Sequence, residues 1–387
     1  MKGRSARLKI PPFPFYWRVS SREAGSANIV EDRLPMTLTF DEKTQLVKQS
    51  CAPGLLKSLD RIYRADHNVG YLQDANTLAR PYAADLLAYI EKILGRYGRK
   101  VASVAEIGCG GCVILERLKA RSYDVVGIDP SPVAAEAGRR KGIPIIPEFF
   151  PFSSKARFDL IYHADVLEHM RDPVAFLRST RGSMTERGLA IISVPDCSLS
   201  IETGDLSMCL HQHLSYFDVE SLRRVVALAG FEVLEIAAAG YGGSLYCVAR
   251  KRSGAATRIK RSGGGEKFLR YARKSRLATK KIVTYLSGLK NRDRSSLGFY
   301  VPLRAFPYLA FAAQWDVRLF DDTPMWHDKF FDGAPGRIED MADLAADPVG
   351  HLLIMSLSFG PRIADKVRAA LGPAAPTKIK TLRDLLA

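Results

Sequence analysis

The sequence contains no long apolar run. Its 387 residues include uncharged apolar stretches at 305–315 and 349–360, whereas a membrane-spanning helix needs roughly 18 such residues. Residues 1–35 carry several basic side chains and prolines but lack the continuous apolar core of a secretory signal. We therefore expect no membrane span, and we predict that residues 1–35 form a poorly ordered extension.

Cysteine is scarce and widely spaced. Of the six cysteines, only Cys109 and Cys112 form a close pair, and no second pair is present to complete a four-ligand zinc site. This usage is typical of a reducing cytoplasm. We predict a cytoplasmic protein that needs no metal.

Excess positive charge is confined to one segment. The chain has a net charge of +16, but residues 250–281 hold 13 Lys or Arg and the single acid Glu266, which leaves 44 bases and 40 acids elsewhere. Because the rest of the chain is close to neutral, its charge does not favour a nucleic acid as partner. The segment itself fits either a solvated linker or a site for phosphates, an anionic membrane surface or RNA.

Apolar segments and glycine turns alternate over residues 101–251 as they do in a doubly wound α/β sheet. Five parallel strands are predicted at "VASVAEIG", "YDVVGIDP", "IPIIPEFF", "FDLIYHADV" and "GLAIISVPD", with helices between most of them. "FEVLEIAAAG" and "GSLYCVARK" follow as two strands that we expect to pair antiparallel. The pattern predicts an α/β fold with a seven-stranded, doubly wound, Rossmann-like sheet.

One helix of this domain and the flanking segments complete the prediction. Asp218 is the expected N-cap of "DVESLRRVVALAGF", and Ser221, in place of Glu or Gln, predicts an incomplete capping box. We predict an N-terminal helical region at 36–100, a basic linker and helix at 252–285, and a smaller α/β domain at 286–387. The strand and helix patterns of that last domain fall at 316–322, 337–347, 349–360, 361–372 and 377–382.

The segment "EIGCGGC" lies between the first strand and the first helix of the sheet domain. Gly108 and Gly110 allow the backbone to turn tightly and approach a ligand, beside a helix N-terminus that presents amide groups. Asp129, at the end of the next strand, is expected to bind ribose hydroxyls. These features alone fit a nicotinamide dinucleotide equally well.

Glu106 distinguishes between the two cofactors. A carboxylate two residues before the first glycine suits a cationic amine rather than a pyrophosphate, which favours S-adenosylmethionine. The thiols of Cys109 and Cys112 could instead form a redox or metal pair, but the flanking strand, helix and acid favour the cofactor loop. Cys112 occupies the position of a usual third glycine.

Three stretches, "VAEIGCGGCVIL", "VVGIDPS" and "FDLIYHADVLEHMRDP", make residues 101–196 resemble a class I S-adenosylmethionine-dependent methyltransferase. The resemblance implies that S-adenosylmethionine is the cofactor. By this resemblance Glu106, Gly108 and Gly110 would line its methionine moiety and Asp129 would bind its ribose. Ala164 and Asp165 would lie at the open side of the cofactor.

A narrower resemblance covers the rest of the chain. "LHQHLSYFDVESLRRVVALAGFEV" and "GYGGSLYCVAR" look like the nucleotide-sugar C-methyltransferases, which also end in a small domain similar to "KFFDG…LLIMSLSFGPRIADKVRAAL". It implies that a nucleotide-sugar lies between the two domains. The first hundred residues contain only Cys51, so we expect the family's cysteine-rich zinc module to be absent or replaced. The family's Tyr-His-Glu-His is Leu-His-Gln-His here, so the methyl group could go to carbon or to oxygen.

The histidines of this segment are the candidates for the chemistry. Methyl transfer is an in-line displacement that needs alignment, and the acceptor must also lose a proton, for which histidine is suited. We predict His213 as the base, with His211 and Gln212 orienting the substrate and His169 facing the same cleft. A structural histidine that caps a loop is the alternative for each.

Two tyrosines, Tyr216 and Tyr241, could stack on a sugar or base, or could belong to the core. Together these patterns predict methyl transfer to a nucleotide-linked or otherwise activated carbohydrate. The alternatives are an O-methyltransferase of a sugar or small metabolite, and an RNA methyltransferase or RNA-binding protein that uses the basic segment.

Overall fold

The structure, a computed structural model, describes most of the chain. The described residues are 7–15, 19–20, 33–51, 53–65, 79–97, 101–152, 155–253, 264–289, 297–311, 317–331, 334, 336–373 and 377–387. No helix within these ranges is both long and apolar enough to cross a bilayer.

The N-terminal segment contributes strands as well as helices. Its elements are β1 (Leu8–Pro14), β2 (Val19–Ser20), β3 (Arg33–Asp41), β4 (Leu46–Gln49), α1 (Pro53–Ala65) and α2 (Ala79–Tyr97). β1, β3 and β4 pair antiparallel in this order. The side chains of Leu8, Ile10 and Phe13 are buried in the core.

Two predictions for this segment are therefore wrong in part. Residues 8–14 are not a poorly ordered extension, because the apolar side chains of β1 are buried once β3 supplies its hydrogen-bonding partner. Residues 1–6, 16–18 and 21–32, also included in that prediction, lie outside the described residues. The helical region expected at 36–100 begins with β3 and β4, where Met36 and Leu38 are buried at the period of two that a strand produces.

The central unit alternates strands and helices. Its elements are β5 (Ser103–Ile107), α3 (Val113–Lys119), β6 (Asp124–Ile128), α4 (Pro132–Lys141), β7 (Ile145–Ile146), β8 (Phe158–Ala164), α5 (Pro173–Gly182), β9 (Met184–Pro195), α6 (Ser198–Thr203), β10 (Ser215–Tyr216), α7 (Val219–Leu228), β11 (Phe231–Ala238) and β12 (Ser244–Lys251). Seven of these strands form one sheet in the order β7, β6, β5, β8, β9, β12, β11.

The arrangement of this sheet confirms the predicted fold class. β5 to β9 pair parallel to one another, and β12 pairs antiparallel with both β9 and β11. Helices α2, α3 and α4 pack on one face and α5 and α7 on the other. Because both faces are covered, β5 is almost wholly buried. The short β10 leaves this sheet and pairs with β4, which joins the N-terminal strands to the central unit.

The capping box at the start of α7 is complete, which corrects the prediction for Ser221. The Asp218 carboxylate accepts a hydrogen bond from the Ser221 amide at 2.8 Å, and the Ser221 hydroxyl accepts one from the Asp218 amide at 3.0 Å. A serine hydroxyl reaches back as well as a glutamate would, since the two residues lie close together at the helix start.

The basic segment forms a helix, α8 (Gly264–Leu289), that belongs to the core. Phe268, Tyr271, Ile282 and Leu286 on its inner face are at most 1% exposed. The helix predicted for this segment is therefore present, and it packs into the core with a buried apolar face instead of lying free in solvent. Residues 254–263 lie outside the described ranges.

The C-terminal unit is a five-stranded parallel sheet with helices. Its elements are β13 (Leu297–Tyr300), α9 (Phe306–Leu309), β14 (Arg318–Phe320), β15 (Phe330–Phe331), β16 (Ile338–Glu339), α10 (Met341–Ala346), β17 (His351–Ile354), α11 (Gly360–Leu371), β18 (Lys378–Thr381) and α12 (Leu382–Leu386). The sheet order is β16, β14, β13, β17, β18, and β15 pairs with β2. Sequence patterns missed the central strand β13, which has only four residues. A Cβ at Gly298 in it would lie 2.7 Å from Phe320.

Candidate active site

The proposed cofactor residues meet at one edge of the central sheet. Glu106 lies near the end of β5, Asp129 follows β6, and Asp165 follows β8. These three strands are parallel neighbours, so their carboxyl ends lie together. In doubly wound sheets ligands bind outside this edge.

The two glycines of the loop serve different purposes. Gly108 has φ of +75°, and a Cβ there would lie 2.6 Å from Cγ2 of Val166, so the loop packs directly against the segment after β8. Gly110 has φ of +44°, yet a Cβ there would meet no described atom within 4 Å. Gly108 is thus required by packing, whereas Gly110 leaves open space in which a ligand can approach the backbone.

Glu106 is a buried carboxylate with one oxygen unused. It is 1% exposed, and its Oε2 accepts a hydrogen bond from the hydroxyl of Tyr162 at 2.8 Å. No donor among the described residues reaches its Oε1. Burial raises the pKa of Glu106 well above its ordinary value. An ammonium group placed at Oε1 would supply both the missing donor and the compensating charge.

Asp129 holds the loop and the next helix in place. One carboxylate oxygen accepts a hydrogen bond from the amide of Gly110 at 2.9 Å, and the other accepts one from the amide of Ser131 at 2.8 Å. Ser131 in turn caps α4. Each carboxylate oxygen has a second lone pair, so the predicted contact with ribose hydroxyls stays compatible with this geometry.

The two thiols of the loop belong to its packing. Cys109 and Cys112 are 1% and 0% exposed, and their sulfurs lie 3.7 Å apart. The hydrogen bond between the two thiols, together with burial, raises the pKa of Cys109 well above its ordinary value, which disfavours the thiolate that redox or metal chemistry needs. Cys112 adopts φ of +59°, so it takes the left-handed conformation of the glycine it replaces.

The predicted open side of the cofactor is formed by Ala164 and Asp165. Ala164 ends β8, and Asp165 has φ of +54°. The Tyr82 hydroxyl, from α2, lies 3.2 Å from Oδ1 of Asp165 and 2.8 Å from the hydroxyl of Ser244. Burial raises the pKa of Asp165 to about 6, opposed by the Tyr82 hydrogen bond. Sequence reasoning did not identify Tyr82, which lies before the recognised motifs.

His169 and His213 lie close together, with ring centroids 5.0 Å apart. Nδ1 of His169 lies 2.9 Å from the backbone oxygen of Gln212 and 3.2 Å from the hydroxyl of Tyr63. That hydroxyl also donates to the side-chain oxygen of Gln212. Burial lowers the pKa of His169 to about 4 and the pKa of His213 well below its ordinary value, so both imidazoles are neutral at pH 7.

Glu168 is a further member of this cluster that sequence reasoning missed. It is 1% exposed, and within the described ranges neither of its carboxylate oxygens has a hydrogen-bond donor. Burial raises its pKa well above the ordinary value. The signal was present in "LEHMRDP", where the acid directly precedes His169. Arg304, just before α9, is a second missed residue, whose charge acts on both Asp165 and His213.

Two predicted site residues lie elsewhere. His211 is 2% exposed, its ring stacks on Phe13 at 4.0 Å, and its Nε2 lies 2.8 Å from the backbone oxygen of Leu34. Tyr216 is 1% exposed and lies in the core beside Met36. The prediction that His211 orients substrate and the prediction that Tyr216 stacks on it do not fit these positions, because the N-terminal strands cover both side chains.

Tyr241 lies where the central and C-terminal units meet. Its ring is 5.5 Å from that of Phe359, and the guanidinium of Arg362 lies 5.6 Å from its centroid. A Cβ at the neighbouring Gly243 would lie 2.6 Å from the hydroxyl of Ser358. The start of α11 therefore approaches the loop between β11 and β12, next to Ser244 and the Tyr82 network.

A family model described as a methyltransferase domain matches residues 78–236. This stretch contains α2, the glycine loop, Asp129, Asp165 and the histidine cluster. The matched domain has a doubly wound sheet and an acid before the glycines of its loop. Residues 78–236 therefore form a class I methyltransferase domain. Its cofactor is S-adenosylmethionine.

Curated relatives match part of the chain. The ubiquinone biosynthesis O-methyltransferase of Azorhizobium caulinodans is 28% identical over 152 residues, which cover 35% of this chain and 60% of that protein. The protein of the same name from a Methylobacterium species is 31% identical over 97 residues, which cover 22% and 38%. The chain thus spans 60% and 38% of the length of these two curated relatives.

Solved structures share the domain at low similarity. The N-methyltransferase NodS from Bradyrhizobium japonicum, in complex with S-adenosylhomocysteine, is 19% identical, with a TM-score of 0.39 over 51% of this chain and 99% of that one. The 1,6-didemethyltoxoflavin-N1-methyltransferase of Burkholderia thailandensis is 18% identical, with a TM-score of 0.40 over 56% and 96%. Similarity at this level does not indicate which acceptor this protein methylates.

Proposed function

We propose that this protein transfers the methyl group of S-adenosylmethionine to a nucleotide-linked or otherwise activated carbohydrate. The observation that carries the proposal is that the glycine loop lies next to the group of Glu168, His169 and His213, called here the acceptor-side cluster. Gly108 packs on Val166, and Glu168, His169 and His213 gather just beyond Val166. A methyl donor in the loop would therefore face the groups that prepare an acceptor.

The cofactor-side residues bind and orient. We propose that Oε1 of Glu106 binds the ammonium of the methionine moiety and that Asp129 binds the ribose. The open space at Gly110 would let the ligand approach the backbone. When bound, S-adenosylmethionine supplies a methyl group on a positively charged sulfur. The chain then has to align an acceptor in line with that methyl group and keep water away from it.

The acceptor-side cluster deals with a proton. A sugar hydroxyl, or a carbon beside a ketone, loses a proton as it takes the methyl group. We propose that the cluster of Glu168, His169 and His213 promotes this loss, with the half-buried His213 next to the acceptor. Tyr63 fixes the position of Gln212 and His169 by hydrogen bonds to both. In this proposal His213 is the critical residue for proton loss, whereas His211 has a structural role in the packing against the N-terminal strands.

The junction of the two units supports a carbohydrate carried by a nucleotide. Tyr241 offers an aromatic face, and Arg362 offers a cation beside it. Tyr241 lies three residues before Ser244, whose hydroxyl is linked through Tyr82 to Asp165. An elongated acceptor could thus reach from the junction to the methyl group, which is the arrangement that the resemblance to nucleotide-sugar C-methyltransferases implies.

O-methylation is the second candidate. The matched curated relatives are named ubiquinone biosynthesis O-methyltransferases, and Gln212 replaces an acid that the carbon-methylating family carries. All six cysteines are free thiols, which supports the cytoplasm as the proposed compartment for either reaction.

The acceptor is tested by mass spectrometry of products. The protein is incubated with S-adenosylmethionine and a panel of nucleotide-sugars, free sugars and phenolic or quinol metabolites. We expect a gain of one methyl group on a nucleotide-sugar. Exchange of a proton for deuterium beside a ketone, without cofactor, would indicate carbon as the acceptor. Methylation confined to the phenolic compounds would reject the carbohydrate.

The cluster is tested by the variant His213→Ala. We expect turnover to fall by at least about a hundredfold, the lower range for a group that handles a proton in the reaction, with unchanged S-adenosylmethionine affinity by calorimetry. His327→Ala, which removes a histidine from the C-terminal unit, is the matched control and should keep full activity. A fully active His213→Ala protein would exclude the cluster from the reaction.

A further inference from the structure

The described residues contain one group of side chains with the composition and spacing of a metal site. One ligand atom each from Glu168, His169 and His213 lies within 4.8 Å of the other two. A divalent ion about 2.0 to 2.2 Å from each ligand places ligand atoms about 3 to 3.5 Å apart. Small side-chain rotations would therefore bring the three onto one ion.

The hydrogen bonds of His169 orient its other nitrogen toward the acid. Nδ1 faces the backbone oxygen of Gln212 at 2.9 Å, so it carries the proton and donates. Nε2 then presents a lone pair, and it lies 3.9 Å from Oε1 of Glu168. A histidine that donates one N–H to a backbone carbonyl and offers the other nitrogen is the usual form of a metal ligand.

Glu168 supplies an independent observation. It is 1% exposed, and none of the described donors reaches either carboxylate oxygen. Nε2 of His169 and Oε1 of Glu168 therefore lie 3.9 Å apart, and no described donor reaches that carboxylate oxygen. Such a pair of acceptors needs a cation between them, either a proton or a metal ion.

We propose that Glu168, His169 and His213 bind a divalent transition-metal ion such as Zn²⁺, Mn²⁺ or Fe²⁺. Two imidazoles and one carboxylate suit these ions, whereas Mg²⁺ and Ca²⁺ prefer oxygen ligands alone. Three protein ligands leave further positions open. Because His213 is half-buried, we infer that these positions face the cleft. This proposal departs from the sequence-based expectation of a protein that needs no metal.

The proposed ion would explain how the cluster promotes the loss of a proton from the acceptor. An acceptor hydroxyl that binds the ion would become more acidic, so that its O–H bond breaks and the proton passes to water. An acceptor ketone that binds the ion would instead lose a proton to water from the neighbouring carbon, whose C–H bond breaks to leave an enolate. The oxygen, or the carbon of the corresponding enolate, then bonds to the methyl carbon. The S–CH3 bond breaks and its electron pair stays on sulfur, which gives S-adenosylhomocysteine. This step rests on the proposed function, whereas binding of the ion does not.

Binding is measured without turnover. Untagged full-length protein is stripped with a chelator, dialysed against Zn²⁺, Mn²⁺ or Co²⁺, and analysed for metal by mass spectrometry and for affinity by calorimetry. We expect about one equivalent, with affinity at least about a hundredfold lower in His169→Ala and His213→Ala. Loss of outer partners alone costs ten- to a hundredfold. His327→Ala, which disrupts a histidine–acid pair with Asp340, is the control and should bind normally.

A measurement on the unaltered chain guards against variants that fail to fold. X-ray absorption of the Zn²⁺ or Co²⁺ form should show two imidazoles and an oxygen ligand, and thiolate ligands would overturn the assignment. Equal metal content in the wild type and in a folded His169→Ala protein would also overturn it. No binding of any of these ions would mean that a proton lies between Glu168 and His169 instead.

The two proposals can fail separately. Metal binding at these residues without methylation of any panel compound would reject the proposed function and leave the site intact. Full methylation by chelator-treated protein that retains no metal would reject the ion's part in the reaction and leave the function intact.

Discussion

Replacing Glu106 by glutamine should shift cofactor affinity and stability in opposite directions. The wild-type carboxylate is buried, with one oxygen bound to the Tyr162 hydroxyl and one without a described donor. Glutamine keeps nearly the same shape and still accepts the hydrogen bond from Tyr162. It removes the negative charge that, in our proposal, binds the ammonium of the methionine moiety.

The expected loss of affinity follows from one charge-assisted contact. A hydrogen bond to a charged group contributes about 1.5 to 3 kcal/mol, so the dissociation constant for S-adenosylmethionine should rise about ten- to a hundredfold. Stability of the ligand-free protein should change the other way. The pKa of Glu106 is raised on folding, so its ionisation opposes folding as pH rises from its ordinary pKa through the folded one.

Calorimetry with three ligands isolates the ammonium contact. S-adenosylmethionine and S-adenosylhomocysteine both carry it and should lose affinity alike in Glu106→Gln. Methylthioadenosine lacks it and should bind the variant and the wild type equally. Urea unfolding without ligand should show a more stable Glu106→Gln protein at pH 7, with the difference shrinking toward pH 4.5. Glu186→Gln, whose side chain is 90% exposed, is the matched control and should change neither property.

An equal loss of affinity for methylthioadenosine would refute this reasoning, because Glu106 would then act through the shape of the loop. A ligand-free Glu106→Gln protein that is less stable than wild type at pH 7 would contradict the stability argument. In that case the carboxylate would have a favourable partner within the folded chain.

Three further predictions concern the loop, the N-terminal strands and the C-terminal sheet. Gly110→Ala should weaken S-adenosylmethionine binding at least about tenfold by calorimetry but cost only about 1 kcal/mol of stability, since its Cβ meets open space and only its positive φ is strained. His211→Ala should lower stability by about 2 to 4 kcal/mol in urea unfolding without changing cofactor affinity, because its buried ring packs on Phe13. Burial raises the pKa of Asp321 to about 6 from 3.8, so its ionisation should cost about 3 kcal/mol between pH 4 and 7. Asp321→Asn should gain stability over wild type across that range, and a constant difference would contradict this.

Much of the central sheet could be predicted because its signals are local. β5, β6 and β8 are largely buried on both faces and are therefore mostly apolar, and the glycine loop follows the first of them directly. The strands β3 and β13 were missed for different reasons. β3 carries a clear period-two pattern, with apolar residues at 34, 36, 38 and 40, which the prediction of a helical region overlooked. β13 is short and contains Gly298, which is required only because Phe320 lies beside it.

The candidate site divides in the same way. Glu106, Gly108 and Asp129 were predictable, because the chemistry of a cofactor loop depends on residues close in sequence or at a strand end. His211 and His213 looked alike in sequence, two residues apart, and only packing separates them. Phe13 and the backbone of Leu34 cover the first, while the second meets His169.

The sequence by itself determined that this chain has a doubly wound sheet, a loop suited to S-adenosylmethionine and a supply of histidines beside it. Hydrophobic periodicity and glycine spacing extend over only a few residues, so they can be recognised in the sequence without knowledge of the fold. Only the tertiary structure decided which groups lie together in the candidate site. Tyr63, Glu168 and Arg304 join His213 there from segments far apart in the chain, because burial and hydrogen bonding depend on neighbours in space.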